Sequence, residues 1–364
     1  MVFSADDHRF MARALQLAAC GLNTTTPNPR VGCVIVRDGR VIAEGWHEKA
    51  GGPHAEAAAL AKVGAGRTAQ GATAYVTLEP CSHHGRTPPC ADALIAAGVS
   101  RVVASMQDPN PLVAGRGLAR LQAAGIETQS GLLENEAREL NIGFISRMTQ
   151  GRPWVRLKVA TSLDGKTALA NGRSQWITGA DARRDVHAWR ARSCAMLTGI
   201  GTVRDDNPRL NVREVETTRQ PLRVVVDSRL EIAPDAAIMG GGNCLIAAAV
   251  NQPDKLAPLQ ARGAEVICLP NAHGKVDLPG LLQHLGQRGI NEVMVEAGLK
   301  LNGSLLREGC VDELLLYQAP LLLGDAAHGM ADIGELVELS QARRLAVMER
   351  RLVGADFFTR ARFG

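Results

Sequence analysis

Apolar residues are spaced through SADDHRFMARALQLAAC as on one face of a helix, which predicts an amphipathic helix over residues 5–20. Two apolar runs follow, VGCVIV (31–36) and VIAEGW (41–46), joined by RDGR. Asp38-Gly39 between two such runs is a hairpin signal. A helix is expected from His54 through AEAAALAKV, then the strand ATAYVTL (72–78), which ends at Glu79. A helix from Cys90, the strand RVVASM (101–106), the helix GRGLARLQAAG, the short strand IETQS and a polar helix over 134–150 complete this part. Strands alternating with helices predict an α/β layer with parallel strands.

Gly151-Arg152-Pro153 breaks the pattern and restarts an extended segment, WVRLKVA. The chain therefore divides at residues 1–150 and 151–364. Strands in the second part are expected at 195–199, 222–227, 243–249, 264–269, 292–297 and 312–320. Helices near 180–191, 278–288 and 301–308 separate some of them, and the last stretch, 343–363, alternates as an antiparallel hairpin does.

Composition narrows the class. A chain of 364 residues with 46% hydrophobic and 21% charged residues is an ordinary soluble protein, long enough for two cores. A net charge of +4 and 3% aromatic residues argue against nucleic-acid binding. The first twenty residues lack the basic and apolar regions of a signal peptide, and no stretch reaches the length of a membrane span. Eight cysteines without a framework pattern fit buried free thiols in a reducing cytoplasm; Cys20, Cys33, Cys194, Cys244, Cys268 and Cys310 sit mostly among apolar neighbours.

The remaining pair, Cys81 and Cys90, bracket the stretch EPCSHHGRTPPC, each directly after a proline. Upstream, Pro53-His54-Ala55-Glu56 opens a helix. His54, Cys81 and Cys90 are three zinc-type donors, and three protein ligands leave a fourth tetrahedral position free, as in a catalytic site. Zinc would bring the pKa of water there to about 7. Glu56 is then free to carry a proton from water to a departing amine. His-x-Glu, then Pro-Cys, then Cys is the pattern of zinc nucleobase deaminases, except that eight residues rather than two separate the cysteines. A closed structural zinc would need a fourth ligand, for which His83 and His84 are candidates.

The series TTTPNPRVGCVIV, GWHEKAGGPHAEAAAL, AYVTLEPCSHHGRTPPC and ASMQDPNP resembles the deaminase half of the bifunctional riboflavin-biosynthesis deaminase/reductases, whose long Cys-to-Cys loop this chain shares. The resemblance implies a cytidine-deaminase-like three-layer α/β/α domain. It also implies hydrolytic deamination of 2,5-diamino-6-ribosylamino-4(3H)-pyrimidinone 5′-phosphate, with Asn28, His47 and Arg86 contacting substrate. An asparagine can bond a pyrimidine edge, and Arg86 and His47 can meet phosphate.

The second half carries weaker signals. AGLKLNGSLL and GIGTVRDDNP each follow a strand and enter a turn or helix where backbone N–H groups could approach phosphate, with Gly298 and Gly303 as the permissive positions. Neither is a dinucleotide fingerprint, since Gly199-Ile200-Gly201 is followed at position 204 by arginine. LKVATSLDGKTA, SQWITG, ARRDVHAWRA, LTGIGTVRDDNPRLNVR, VVVDS and VEAG resemble the reductase half of the same family, which leaves only about 229–290 without a family pattern. The resemblance implies a dihydrofolate-reductase-like α/β domain that uses NADPH to reduce a ribosyl to a ribityl group. It places NADPH near Ala160, Trp176, Thr202, Asp206, Ser228, Gly298, Leu299, Lys300, Leu301, Asn302, Gly303 and Ser304. It places substrate near Ser174, Arg190, Leu210, Arg213 and Glu296. Lys158 and Asp164 fall in the first of these motifs without an assigned role.

The expected protein is thus a cytoplasmic two-domain enzyme with zinc and NADPH, acting on pyrimidine ribose-phosphates, with no nucleic-acid or membrane partner; a homo-oligomer is left open. Two rivals differ in class: a nucleic-acid-editing deaminase with an appended binding domain, and a zinc-stabilised interaction protein without activity.

Overall fold

The computed structural model describes residues 3–64, 68–82, 88–111 and 113–364. The chain forms two compact units, Met1–Gly151 and Arg152–Gly364. The first contains α1 (Ala5–Cys20), β1 (Gly32–Arg37), β2 (Arg40–Trp46), α2 (Ala55–Leu60), β3 (Thr73–Val76), α3 (Cys90–Ala96), β4 (Arg101–Ala104), α4 (Arg116–Ala123), β5 (Glu127–Ser130), α5 (Glu134–Leu140) and α6 (Ile142–Gln150).

The sheet order is β2-β1-β3-β4-β5. β3, β4 and β5 run parallel and β1–β2 is the expected antiparallel hairpin, but β1 is also antiparallel to β3, which corrects the expectation of parallel strands at that one junction. The Asp38-Gly39 turn, with both φ angles positive, reverses the chain after β1. The crossover through α2 then carries β3 past β2 to the free side of β1. Along β1 the side chains alternate between layers. Cys33 and Ile35 join Ala55 and Ala59 of α2 and Leu94 of α3, whereas Val34 and Val36 join Phe10, Met11 and Ala14 of α1. Helices thus cover both faces of the sheet.

The polar helix expected over 134–150 is broken at Asn141. Its buried side chain accepts from Arg30 N–H at 2.8 Å and donates to Arg30 C=O at 3.0 Å. A contact 111 residues away in sequence therefore decides where α5 ends.

The second unit contains β6 (Trp154–Ser162), β7 (Lys166–Ala168), α7 (Ala180–Arg192), β8 (Ala195–Gly199), α8 (Ile200–Asp206), β9 (Leu222–Val226), β10 (Cys244–Ala248), α9 (Pro253–Ala261), β11 (Ala264–Cys268), α10 (Leu278–Gln287), β12 (Glu292–Val295), α11 (Leu299–Arg307), β13 (Glu313–Ala319), β14 (His328–Gly329), β15 (Leu345–Val353) and β16 (Asp356–Phe363). Its main sheet has the order β11-β10-β9-β8-β12-β6-β13-β16-β15. The strands from β11 to β13 are parallel, and the β15–β16 hairpin closes the far edge antiparallel, as the alternation in 343–363 predicts. One face packs Val155, Leu157, Val224, Leu245 and Val295 on α10 and α11; the other packs Met196, Val225, Ile246 and Met294 with Val186 of α7 and Leu259 of α9. Helices α8 and α9 are additions to the sequence reading. The first is one short segment begun by a glycine cap, and the second contains Pro258, so neither shows a sustained helical period.

Burial of cysteine is uneven: Cys33, Cys90, Cys194, Cys244 and Cys310 are buried, but Cys20 and Cys268 are exposed, which corrects the expectation for those two. Among the described residues no helix is long and apolar enough to cross a membrane.

Helix α2 lies directly on Gly45 of β2. A Cβ there would collide with Ala59 N and come within 2.6 Å of Ala55 O. Gly45→Ala should therefore push α2, and the residues at its start, off the sheet. Overpacking of this kind costs about 1–3 kcal/mol, and a drop of that size in chemical denaturation of the first unit is the expected result.

Candidate functional site

In the first unit, the chemistry gathers where three helices begin. His54 is the N-cap of α2, and Glu56 lies in its first turn. Cys81 follows β3 by a short segment, and Cys90 is the first residue of α3. Nδ1 of His54 is 3.6 Å from Cys81 Sγ and 3.3 Å from Cys90 Sγ, and all three donor atoms lie within 4.8 Å of one another. Tetrahedral zinc with bonds of about 2.3 Å to sulfur and about 2.0 Å to nitrogen spaces S and N donors by about 3.5 Å. The donors present fit that ion in both type and spacing.

The local hydrogen bonds favour thiolate at Cys81. The Cys90 thiol donates to it, His54 lies against it, and the Cys90 N–H at the start of α3 points to its sulfur at 3.3 Å; together they outweigh burial and hold the Cys81 thiol down to about 4. Cys90, the donor in that pair, is pushed up. Glu56 is buried and, chiefly for that reason, its carboxyl is pushed up to about 7. Its Oε2 has no hydrogen-bond partner among the described residues.

Two of the three expected substrate residues join this group. His47 Nδ1 donates to Pro53 C=O at 2.8 Å, which leaves Nε2 to accept from Asn28 Nδ2 at 3.0 Å. The His47 ring stands edge-on to His54, with centroids 5.6 Å apart. Arg86 lies outside the described residues, as do His83 and His84.

Glu79 is a residue that the sequence reading passed over as a strand end. It is buried and accepts four backbone N–H groups: Asp108 at 3.1 Å, Gly115 at 2.9 Å, Gly117 at 2.8 Å and Leu118 at 3.2 Å. Helix α4 begins at Gly115, which has no side chain to cap it, so Glu79 supplies the cap from another part of the chain. Gly117 also packs so closely on Pro80 that a Cβ would fall on its carbonyl oxygen. The two residues before Cys81 are thereby clamped to α4. The signal in the sequence is an acidic residue ending an apolar strand two positions before a cysteine ligand.

In the second unit, a cleft of about 960 Å³ opens at the carboxyl ends of the parallel strands. Ala160, Trp176, Thr202, Asp206, Ser228, Gly298, Leu299, Lys300 and Leu301 line it, as do Ser174, Arg190, Leu210, Arg213 and Glu296. Asn302, Gly303 and Ser304 do not. Asn302 is buried and donates to Met330 C=O at 2.9 Å, and Ser304 pairs with Arg307 at 3.2 Å. Gly303 packs against the Asp332 backbone, where a Cβ would be 2.6 Å from its carbonyl carbon. Its lack of a side chain thus serves helix packing, not the approach of a phosphate.

Helices α8 and α11 begin side by side: a Cβ on Gly199 would meet Leu301, and one on Gly298 would come 3.8 Å from Thr202 Oγ1. Both start at an extended glycine, and among the described residues neither has a side-chain cap. Their N–H groups are the kind of cradle that a pyrophosphate fits.

Charge is concentrated deeper in the cleft. Arg190 forks onto Glu296 at 2.6 and 2.9 Å, and Lys158 Nζ is 3.8 Å from the same carboxylate. Burial opposes the Glu296 charge, but Arg190 and then Lys158 outweigh it and hold the carboxyl down to about 2. Burial lowers the Lys158 pKa, with Arg190 adding to the effect and Glu296 opposing it. Burial, Arg190 and Arg213 bring His187 down to about 4. Asp164, by contrast, holds a turn: it accepts from Leu323 and Gly324 N–H and from the Ser162 hydroxyl.

Two outcomes test these networks. Glu79→Gln should weaken zinc binding about tenfold, the usual scale for supports behind a ligand, read by competition with a chromogenic chelator. Glu296→Gln leaves Arg190 and Lys158 without their counter-charge, and should cost the second unit about 3–5 kcal/mol. Because its carboxyl titrates lower when folded, the stabilisation from Glu296 is complete above about pH 5 and fades as pH falls toward 2. Denaturation of wild type and variant across that range should converge at the acid end.

Residues 4–106 match the cytidine and deoxycytidylate deaminase zinc-binding region, and residues 153–356 match the RibD C-terminal domain. His54, Cys81 and Cys90 are the zinc site of the former. The chain is 51% identical to the riboflavin biosynthesis protein RibD of Escherichia coli, over 96% of this chain and 97% of that one. It is 48% identical to RibD of Haemophilus influenzae, over 97% and 96%. The solved Acinetobacter baumannii RibD superposes with a TM-score of 0.91 at 43% identity, covering 99% of both chains. A Thermotoga maritima diaminohydroxyphosphoribosylaminopyrimidine deaminase/5-amino-6-(5-phosphoribosylamino)uracil reductase gives 0.87 at 35% identity, again covering 99% of both. With a zinc-type donor group in one unit, a charged cleft in the other and relatives matching end to end, the chain belongs to the RibD family of bifunctional deaminase/reductases of riboflavin biosynthesis.

Proposed function

We propose that residues 1–150 deaminate 2,5-diamino-6-ribosylamino-4(3H)-pyrimidinone 5′-phosphate, and that residues 151–364 reduce the ribosyl group of 5-amino-6-(5-phosphoribosylamino)uracil with NADPH. The observation that carries the first step is the buried, unpartnered Glu56 Oε2 beside the His54, Cys81 and Cys90 donors. Zinc held by those donors supplies Lewis acidity that eases loss of a proton from water. Glu56 takes that proton and returns it to the departing amine, within reach because α2 fixes it in the same turn as His54. Asn28 bonds the pyrimidine edge, and His47, oriented by Pro53, holds Asn28 in place. Arg86 completes the substrate contacts by the family motif.

For the second step, the uncapped start of α11, with Thr202 and Ser228, receives the cofactor phosphates. Ala160, Trp176, Asp206 and residues 298–301 line the rest of its path. NADPH supplies the hydride. Arg190, Arg213 and Ser174 bind the substrate phosphate and Glu296 the sugar, with Leu210 shaping the wall. The phosphorylated pyrimidine, not a nucleic acid, is the ligand this charge suits. Eight free cysteines fit a reducing, cytoplasmic location.

The test supplies the purified protein with the diaminopyrimidine nucleotide. Ammonia should appear without NADPH, and NADPH should be consumed once it is added. Glu56→Gln should abolish ammonia release while keeping zinc, and should still reduce the deaminated intermediate when that is supplied directly. Loss of both activities in this variant would refute the division into two sites.

A further inference from the structure

Residues 207–221, between α8 and β9, form neither helix nor strand, yet they bring Leu210 and Arg213 to the cleft. Backbone outside a ladder must find its hydrogen-bond partners elsewhere. From Asn211 to Arg213 it finds them in side chains. Asn211 C=O accepts from Arg190 Nη1 at 3.3 Å. Val212 N–H donates to Gln220 Oε1 at 2.8 Å, and Val212 C=O accepts from Gln220 Nε2 at 3.0 Å. Arg213 N–H donates to His187 Nδ1 at 3.3 Å. The Gln220 amide thus exchanges both bonds with one residue, as a neighbouring strand would.

These partners are themselves fixed. Arg219, next to Gln220, donates from Nη2 to Ala191 C=O at 3.0 Å and to Ser193 C=O at 2.9 Å, where α7 ends. His187 is buried and lies on α7, the helix that presents Arg190. Burial, Arg190 and Arg213 hold its pKa down to about 4, so at neutral pH the ring is uncharged and Nδ1 can accept. The loop is therefore strapped along its backbone to α7.

Two side chains depend on that strap. Leu210 has a φ of +47°, in the left-handed region, which costs a leucine about 1–2 kcal/mol. The Arg213 guanidinium is half exposed, with Glu214 at 3.8 Å and Asn211 Oδ1 at 3.3 Å. Exposed pairs of that kind hold a side chain weakly, so the backbone decides where Arg213 reaches. Gln220 does not line the cleft, and acts on it through Val212.

We infer that Gln220 and His187 are positioning residues for the reduction: they fix the backbone from Val212 to Arg213, and with it the reach of Arg213 toward the substrate's phosphate. This rests on the reading of Arg213 as a ligand of that phosphate.

The test is steady-state reduction by the full-length protein, with the deaminated intermediate and with the same compound lacking its phosphate. Gln220→Met and His187→Leu should each raise the KM for the phosphorylated substrate about tenfold, the scale of one or two lost hydrogen bonds. Both should leave kcat, the KM for NADPH and kcat/KM for the phosphate-free compound unchanged. His187→Asn, whose side-chain oxygen can take the place of Nδ1, should restore most of the affinity. In an Arg213→Ala background neither substitution should raise KM further. Thermal melts establish that each variant is folded, and if Gln220→Met is not, the comparison of His187→Leu with His187→Asn decides. A loss that falls on kcat, that falls equally on both compounds, or that adds in full to Arg213→Ala overturns the inference and leaves the two residues a purely structural role. An Arg213→Ala variant with unchanged KM overturns the reading of Arg213 as a phosphate ligand, and this inference with it.

Discussion

The first N–H groups of a helix have no partner within the helix, and this chain uses that deficit throughout its functional regions. At the start of α3, the Cys90 N–H meets the Cys81 sulfur, so the backbone itself stabilises a ligand thiolate. At the start of α4, Glu79 satisfies three of the orphan groups and ties the Pro80-Cys81 segment to the helix. At the start of α2, the N-cap position is given to His54, which faces the sulfurs instead of capping. In the second unit, the adjacent starts of α8 and α11 have no side-chain cap among the described residues, and lie in the wall of the cleft.

Buried charge divides in the same way. Arg156 is fully buried between Glu292 and Glu313, and Arg192, Arg360 and Arg362 complete that cluster. Its acids are balanced by arginines on neighbouring strands and helices, so it serves packing of the sheet. Glu296, the residue directly after β12, is paired just as tightly by Arg190, but it opens on the cleft and has Lys158 at only 3.8 Å. Burial lowers the Lys158 pKa, and Glu296 opposes that effect. A similar inventory of charges thus makes a strut in one place and the charged wall of a cleft in another, and the difference is access.

Several features were legible along the chain because they depend on near neighbours. The amphipathic α1 runs over the residues its spacing predicts, Asp38-Gly39 makes the hairpin, and the alternation after residue 343 makes the β15–β16 pair. The ligand set was legible too, since His-x-Glu and the two Pro-Cys pairs are local patterns whose chemistry is specific. The break at Asn141 was not, because a backbone 111 residues away competes for its amide. Nor was Gly303, whose neighbour Asp332 comes from a later loop, or the direction of β1 relative to β3.

By itself, then, the sequence determined most of the helices and strands, though not α8, α9 or the break at Asn141, and it determined the zinc-type donor set and the chemistry that suits it, because period, turn residues and donor type are properties of short stretches. Only the tertiary structure decided that Glu79 caps a helix whose N-cap lies 36 residues later, and that Arg190 and Lys158 share Glu296. Such pairings are set by which strands become neighbours and which polar groups burial forces together, and no local pattern encodes either.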